Sequence, residues 1–159
     1  MHNQTAEIAM ADDELYIERL LDAPVSLVFR VWTSPEHLAR WWGPKDFTAH
    51  SIVMDFREGG AWRSRIRSEE YGYSGMSGVY REIVENKRLV FTFAWDEDSG
   101  SPHETVVTVT FEDVDGKTKF GFHQTPFRTV AERDSHLGGW GECIDRLVAD
   151  VYREKTRRV

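Results

Sequence analysis

The chain has 159 residues, with 20 Lys+Arg against 27 Asp+Glu and a formal net charge of −7. That length fits one domain, and 40% hydrophobic with 30% charged residues is the balance of a folded globule rather than of a disordered chain. The acidic excess argues against a nucleic-acid backbone as the main partner. The lone Cys143 excludes an internal disulfide or a thiolate metal cluster, and no apolar run approaches the roughly 18 residues of a membrane span.

The opening MHNQTAEIAMADDE has neither a basic stretch nor a long apolar one, so no secretion signal is expected and the cytoplasm is the default compartment. Residues 1–13 read as a loosely attached arm, 14–154 as a single domain and 155–159 as a basic tail. Leu15, Ile17, Leu20 and Leu21 predict a first strand over about 14–21. Pro24 suits the first turn of a helix, where its missing N–H costs nothing, and Val28, Phe29 and Trp32 give that helix an apolar stripe. Ser34-Pro35-Glu36 combines a hydroxyl cap, a first-turn proline and an early carboxylate, so a second helix carries Leu38, Trp41 and Trp42 until Gly43-Pro44 stops it.

From residue 47 to 125 the period changes to two. Thr48 to Phe56 alternates, and Glu58-Gly59-Gly60 predicts a hairpin turn that uses the positive φ of glycine. Trp62, Ser64 and Ile66 alternate with Arg63, Arg65 and Arg67 as one two-faced strand. Residues 70–78, rich in glycine and tyrosine, read as a loop before a strand from Val79 to Val84. Leu89, Phe91, Phe93 and Trp95 share one face of the next strand, and Asp96 to Gly100 reads as a solvated loop. Val107, Val109 and Phe111 mark another strand, Asp115-Gly116 turns, and Phe120 and Phe122 alternate with Lys119, Gly121 and His123. The last segment returns to helical period: Leu137, Trp140, Ile144, Leu147 and Val151 step by three and four, with Val148 and Tyr152 broadening the stripe. A helix from about Val130 to Arg153 would be over 30 Å long at about 1.5 Å per residue and must lay that stripe on the sheet. The expected architecture is α+β: a curved antiparallel sheet of about seven strands, two short helices, and a long C-terminal helix across the concave face.

These residues also carry a resemblance. Leu21-Asp22-Ala23-Pro24 to Phe29, then Thr33-Ser34-Pro35-Glu36-His37-Leu38 to Trp41-Trp42-Gly43-Pro44, resembles the opening of the activator of Hsp 90 ATPase homologue family. Asp55-Phe56-Arg57-Glu58-Gly59-Gly60-Ala61-Trp62, Leu89-Val90-Phe91-Thr92-Phe93, and Gly139-Trp140 to Leu147 are similar to later parts of the same pattern, in unbroken order over about residues 15–152. The resemblance implies the START-like (SRPBCC; polyketide cyclase and lipid-transfer) helix-grip fold with a pocket between the long helix and the sheet. The eukaryotic namesake carries a separate chaperone-binding domain, so co-chaperone activity is not expected to carry over. For relatives of single-domain length the resemblance implies ligand binding or toxin resistance in a few.

The tryptophans Trp41, Trp42, Trp62, Trp95 and Trp140 either wall a pocket for a flat or lipid-like ligand or simply fill the space under the helix. The residues expected to face that space are Trp42, Trp62, Phe91, Phe93, Trp95, Phe120, Phe122, Trp140 and Ile144. Arg63, Arg65 and Arg67, with Arg57, could hold a carboxylate or phosphate but read more simply as a solvated outer face, with Asp55 and Arg57 as a local ion pair. His123 leans to the outer face, His136 stands where it could reach a pocket mouth, and His103-Glu104 is an isolated pair. No spacing of histidines suits a metal. Cys143 falls beside the helix stripe as a small buried hydrophobe, Gly138-Gly139-Trp140-Gly141 is no nucleotide loop, and no Gly-x-Ser-x-Gly elbow occurs. Arg153, Lys155, Arg157 and Arg158 complement the negative end of the last helix. The expectation is a protein that binds or sequesters a small apolar or aromatic molecule, with no cofactor, metal, nucleic-acid partner or assigned catalytic residue, and with a homodimer left open. An enzyme of cyclase or hydrolase type in the same pocket, and a protein-interaction module, are the alternatives.

Overall fold

Side-chain parity along the strands decides what the sheet buries. In a computed structural model, which describes residues 10–98 and 102–157, the order is β1 (Leu15–Leu21), α1 (Val25–Thr33), α2 (Pro35–Trp41), β2 (Thr48–Met54), β3 (Ala61–Ser68), β4 (Gly72–Val84), β5 (Arg88–Trp95), β6 (Thr105–Val114), β7 (Lys117–Thr125) and α3 (Val130–Arg157). The seven strands make one antiparallel sheet, ordered β1-β7-β6-β5-β4-β3-β2. Register shifts at Ala49/Ser51 and at Tyr80/Glu82 increase local twist and help the sheet curve around what lies on its concave side. On β3 the alternation is strict: Trp62, Ser64 and Ile66 are buried while Arg63, Arg65 and Arg67 are exposed. On β5 and β7, Leu89, Phe91, Phe93, Phe120 and Phe122 are buried on the same side. The α+β helix-grip architecture expected from the period is the one the chain adopts.

Some local expectations change. Residues 72–78 belong to β4, a strand of 13 residues, instead of preceding it as a loop. The glycines mislead because their job is close approach: a Cβ on Gly78 would overlap the carbonyl oxygen of Thr92 on β5 and lie 2.6 Å from Trp62 Nε1. At the β2–β3 turn only Gly59 has positive φ, +85°; Gly60 is needed because a Cβ there would run into the Asp55 carbonyl oxygen. Ser34 does not cap α2 with its side chain; its hydroxyl donates instead to Glu36 Oε1 at 2.8 Å. Of the arm, residues 10–13 are attached: the Asp13 carbonyl accepts from Phe127 N at 2.8 Å and the Ala11 carbonyl from Arg133 Nη1 at 2.9 Å. Residues 1–9 lie outside the described residues. At the other end α3 continues to Arg157, so Lys155 and Arg157 sit in its last turn and only Arg158 and Val159 lie outside the described residues.

The long helix, 28 residues, is held against both the sheet and α2. Its buried side is Trp140, Cys143, Ile144, Leu147, Asp150 and Val151; Leu137 and Val148 pack at the margins, and Tyr152 stays exposed. The charged member of that set is the anchor. Asp150, 1% exposed, takes His37 Nδ1 at 2.9 Å and Arg40 Nη1 at 3.3 Å from α2, and Arg153 Nη1 at 2.9 Å from its own next turn. Next to it Arg146 Nη1 donates to the carbonyls of Gly43 at 2.7 Å and Phe47 at 2.9 Å, tying the chain after α2 to the same helix. These bonds are fully or partly withdrawn from water, so they fix the distance of α3 from α2 more tightly than surface ion pairs would.

Two stability outcomes follow from this packing. Valine at Gly60 should lower unfolding free energy by about 1–3 kcal/mol, and at Gly59 by a similar amount through backbone strain; an unchanged urea midpoint in both variants would contradict the turn geometry. Asp150→Ala leaves His37 and Arg40 facing a buried gap and should cost about 3 kcal/mol in the same measurement, whereas Glu154→Ala, removing a more exposed partner of Arg40, should cost well under half of that.

Candidate functional site

An indole buried under a helix brings an N–H that must find an acceptor, and five of the six tryptophans find one. Trp41 donates to the Val31 carbonyl at 3.0 Å, Trp42 to Ser64 Oγ at 2.9 Å, and Trp62 to the Thr92 carbonyl at 3.2 Å. Trp140 donates to Gln124 Oε1 at 2.8 Å and Trp95 to His136 Nε2 at 3.0 Å. Trp32 Nε1 is buried and has no partner among the described residues. The rings meet mainly edge to face: Trp42 stands between Trp62, with centroids 5.8 Å apart at 77°, and Trp140, 5.5 Å apart at 78°.

Behind Trp140 the acceptor is itself fixed. Gln124, fully buried on β7, gives its Nε2–H to Thr105 Oγ1 at 2.8 Å, and that hydroxyl donates to the Phe93 carbonyl at 3.2 Å. A polar chain with every member satisfied locks the orientation of the ring it ends on. Near the start of α3, His136 Nδ1 donates to the Glu132 carbonyl at 2.9 Å while Nε2 accepts from Trp95, so its two partners select the neutral Nδ1–H tautomer.

These rings leave two spaces unfilled. The larger, about 170 Å³, lies between the first half of α3 and strands β3 to β5; it is walled by Trp42, Ile66, Met76, Phe93, Trp95, Trp140 and Cys143, with Gly43-Pro44, Ser135, His136 and Gly139 around it. A Cβ on Gly139 would meet nothing within 4 Å, so the glycine leaves room at the helix face where other residues would fill it. The smaller, a slot of about 30 Å³, lies on the other side of Trp42 among Trp32, Leu38, Trp42, Ile52, Trp62, Ser64, Tyr80 and Phe91.

Of the residues expected to share this space, Trp42, Phe93, Trp95 and Trp140 wall the larger cavity, and Trp42, Trp62 and Phe91 wall the slot. Phe120, Phe122 and Ile144 touch neither. They are fully buried behind the wall, where Phe122 packs on Trp140 with centroids 4.5 Å apart, and this takes them off the candidate set. Trp41 likewise is core. Trp32, expected only as part of the α1 stripe, walls the slot, Met76 walls the larger cavity, and Gln124 stands behind Trp140. The signal for Gln124 was present, since it continues the inward positions of Phe120 and Phe122 on β7.

The remaining candidates lie elsewhere. Arg63 pairs with Asp96 at 3.2 Å, and Arg65 and Arg67 lie 4.5 and 5.9 Å from the Tyr73 ring on the outer face. Arg57 pairs with Asp55 at 2.9 Å, His123 with Glu14 at 2.6 Å, and His103 faces the Pro126 carbonyl at 2.7 Å. Among the described residues no cluster of His, Cys, Asp or Glu is arranged to hold a metal, and no helix is long and apolar enough to cross a membrane. The Cys143 thiol is pushed up to about 12 by burial, opposed by a weaker stabilising contact with Gly43, so it is a neutral group in the cavity wall.

Comparison with known proteins agrees with this architecture. The family model described as Activator of Hsp90 ATPase homolog 1-like protein matches residues 22–151. A crystal structure of a Nitrosomonas europaea protein is 25% identical, with a TM-score of 0.78 over 93% of this chain and 99% of its own. One from Chromobacterium violaceum is 26% identical, with a TM-score of 0.79 over 89% and 98%. An uncharacterised Rhizobium leguminosarum protein is 28% identical, with a TM-score of 0.75 over 88% and 94%. No curated protein matches the chain.

The neutral thiol is testable. Because its folded value lies above the ordinary 9.0, the stability that burial of the neutral form provides is complete below about pH 9 and is lost as pH rises from there toward 12. At pH 8, labelling of native Cys143 by a disulfide reagent should be at least about a hundredfold slower than in guanidinium, tracking opening of the fold; equal rates would mean the thiol is not in the wall.

Proposed function

The chain belongs to the Activator of Hsp90 ATPase homolog 1-like family, and on that premise we propose that it binds and sequesters a small apolar or aromatic molecule in the cavity between α3 and the sheet. The observation that carries the reading is the cavity of about 170 Å³ walled by Trp42, Phe93, Trp95 and Trp140. Apolar cavities of about 150 Å³ admit benzene, so a ligand built on one ring fits without rearrangement. Burial would stabilise the complex by roughly 25 cal/mol per Å² of apolar surface before association entropy is subtracted.

The polar groups support binding more than chemistry. Both ring nitrogens of His136 are engaged and Cys143 is a neutral thiol, so neither is arranged as a free base or nucleophile facing the cavity. What they provide is a polar edge to an aromatic chamber, which orients a ligand without reacting with it. The cytoplasm is the compartment proposed, on the composition and the unpaired cysteine.

Toluene is a suitable first probe. Its titration should change tryptophan fluorescence saturably and shift the Trp95 and Trp140 indole N–H resonances. Gly139→Leu places a side chain where the glycine leaves open space. It should weaken toluene binding more than about tenfold while leaving unfolding free energy unchanged or up to about 1 kcal/mol higher, because leucine is the better helix former. A linear response to toluene in the wild-type protein, or equal binding by the Gly139→Leu variant, would overturn the proposal.

A further inference from the structure

One residue in the wall of the slot beside the cavity carries an unspent donor. Trp32 forms part of the slot wall, is 3% exposed, and its Nε1–H is without an acceptor among the described residues, although each of the other tryptophans donates to one. Leaving a buried N–H unpaired is costly, so a group that accepts from it gains a hydrogen bond the empty slot does not provide. The Tyr80 side chain lies on the same wall, and burial raises the pKa of its hydroxyl, which therefore stays a donor. Trp42 is common to both walls.

We propose that the slot is a subsite for a neutral hydrogen-bond acceptor, so that the ligand is a flat apolar ring carrying a carbonyl-type oxygen on a short arm. The oxygen and its short arm occupy the slot, where the oxygen receives the Trp32 N–H, and the ring rests on Trp42, the side chain common to both walls. This rests on the ligand-binding reading above and adds the ligand's class to it. Two observations narrow that class. Among the described residues neither wall includes a Lys, Arg, Asp or Glu, so a carboxylate, phosphate or ammonium would enter without a counter-charge, whereas a neutral oxygen needs none. The slot, at about 30 Å³, admits a group the size of a carbonyl with its methyl and not a second ring. Trp32 is then a specificity-determining residue, acting on which ring compound is held.

Acetophenone and α-methylstyrene test this, because they have the same shape and differ by C=O against C=CH2. Each is titrated into the full chain and into the Trp32→Phe variant, which keeps an aromatic side chain and removes the donor. The ratio of the two dissociation constants should shift against acetophenone by about fivefold in the variant, the worth of one hydrogen bond. In the wild-type protein the Trp32 indole N–H resonance should move downfield with acetophenone and not with α-methylstyrene, a measurement that stands even where the variant fails to fold. If both probes bind, the ratio is unchanged and the indole responds to both alike, the subsite is overturned while the binding reading survives. If neither probe binds and toluene does not either, the binding reading falls and the subsite falls with it.

Discussion

A tryptophan ring cannot be buried without also burying a donor, and most of the interior follows from that constraint. Under α3 the chain places Trp42, Trp62, Trp95 and Trp140, and for each it supplies an acceptor inside otherwise apolar surroundings: Ser64, the Thr92 carbonyl, His136 and Gln124. Those acceptors impose demands of their own. Gln124 has two further protons to satisfy, and Thr105 and the Phe93 carbonyl continue the chain. The Trp62–Thr92 bond passes so close to β4 that only glycine fits at position 78. A strand glycine, an inward glutamine and an inward serine are thus consequences of ring placement.

Rings fixed in this way leave residual space. Indoles meeting edge to face, each tethered at one nitrogen, cannot shift to fill a corner as a methionine or leucine would. The helix above them does not collapse inward either. Asp150 holds it at a set distance from α2 through His37 and Arg40, and Arg146 holds the segment after α2 through the Gly43 and Phe47 carbonyls. The cavity therefore lies between two rigid constraints, a tethered aromatic wall and an anchored helix, and glycine at 139 keeps its helix side empty despite the cost to helix propensity.

Proteins sharing 25–28% of their residues with this chain keep the same frame. A sheet and a gripping helix tolerate that divergence because they depend on parity and period, which many apolar residues satisfy. The wall is more particular, since each tethered ring needs a specific polar partner. Differences among such proteins in the shape and polarity of the space under the helix are then expected at positions such as Trp32, Ser64, Gln124 and His136, rather than in the strands that carry them.

Period and parity are local properties, and what depended on them was legible in the amino-acid sequence alone. The inward set Trp62, Ser64, Ile66, the inward Phe91 and Phe93, the outward arginines and the stripe of α3 all follow from spacing along one segment. Residues 72–78 could not be read this way, because a glycine that admits a neighbouring backbone looks the same in sequence as one that makes a loop; the neighbour, Thr92 for Gly78, is on another strand. Nor did parity separate Phe93, which faces the cavity, from Phe122, which lies behind Trp140, since both point inward. Which inward side chains touch open space, which indole is left without an acceptor, and which carboxylate holds two helices together are decided by what remote elements leave between them. That remainder exists only once the helix, the sheet and the rings are packed against one another.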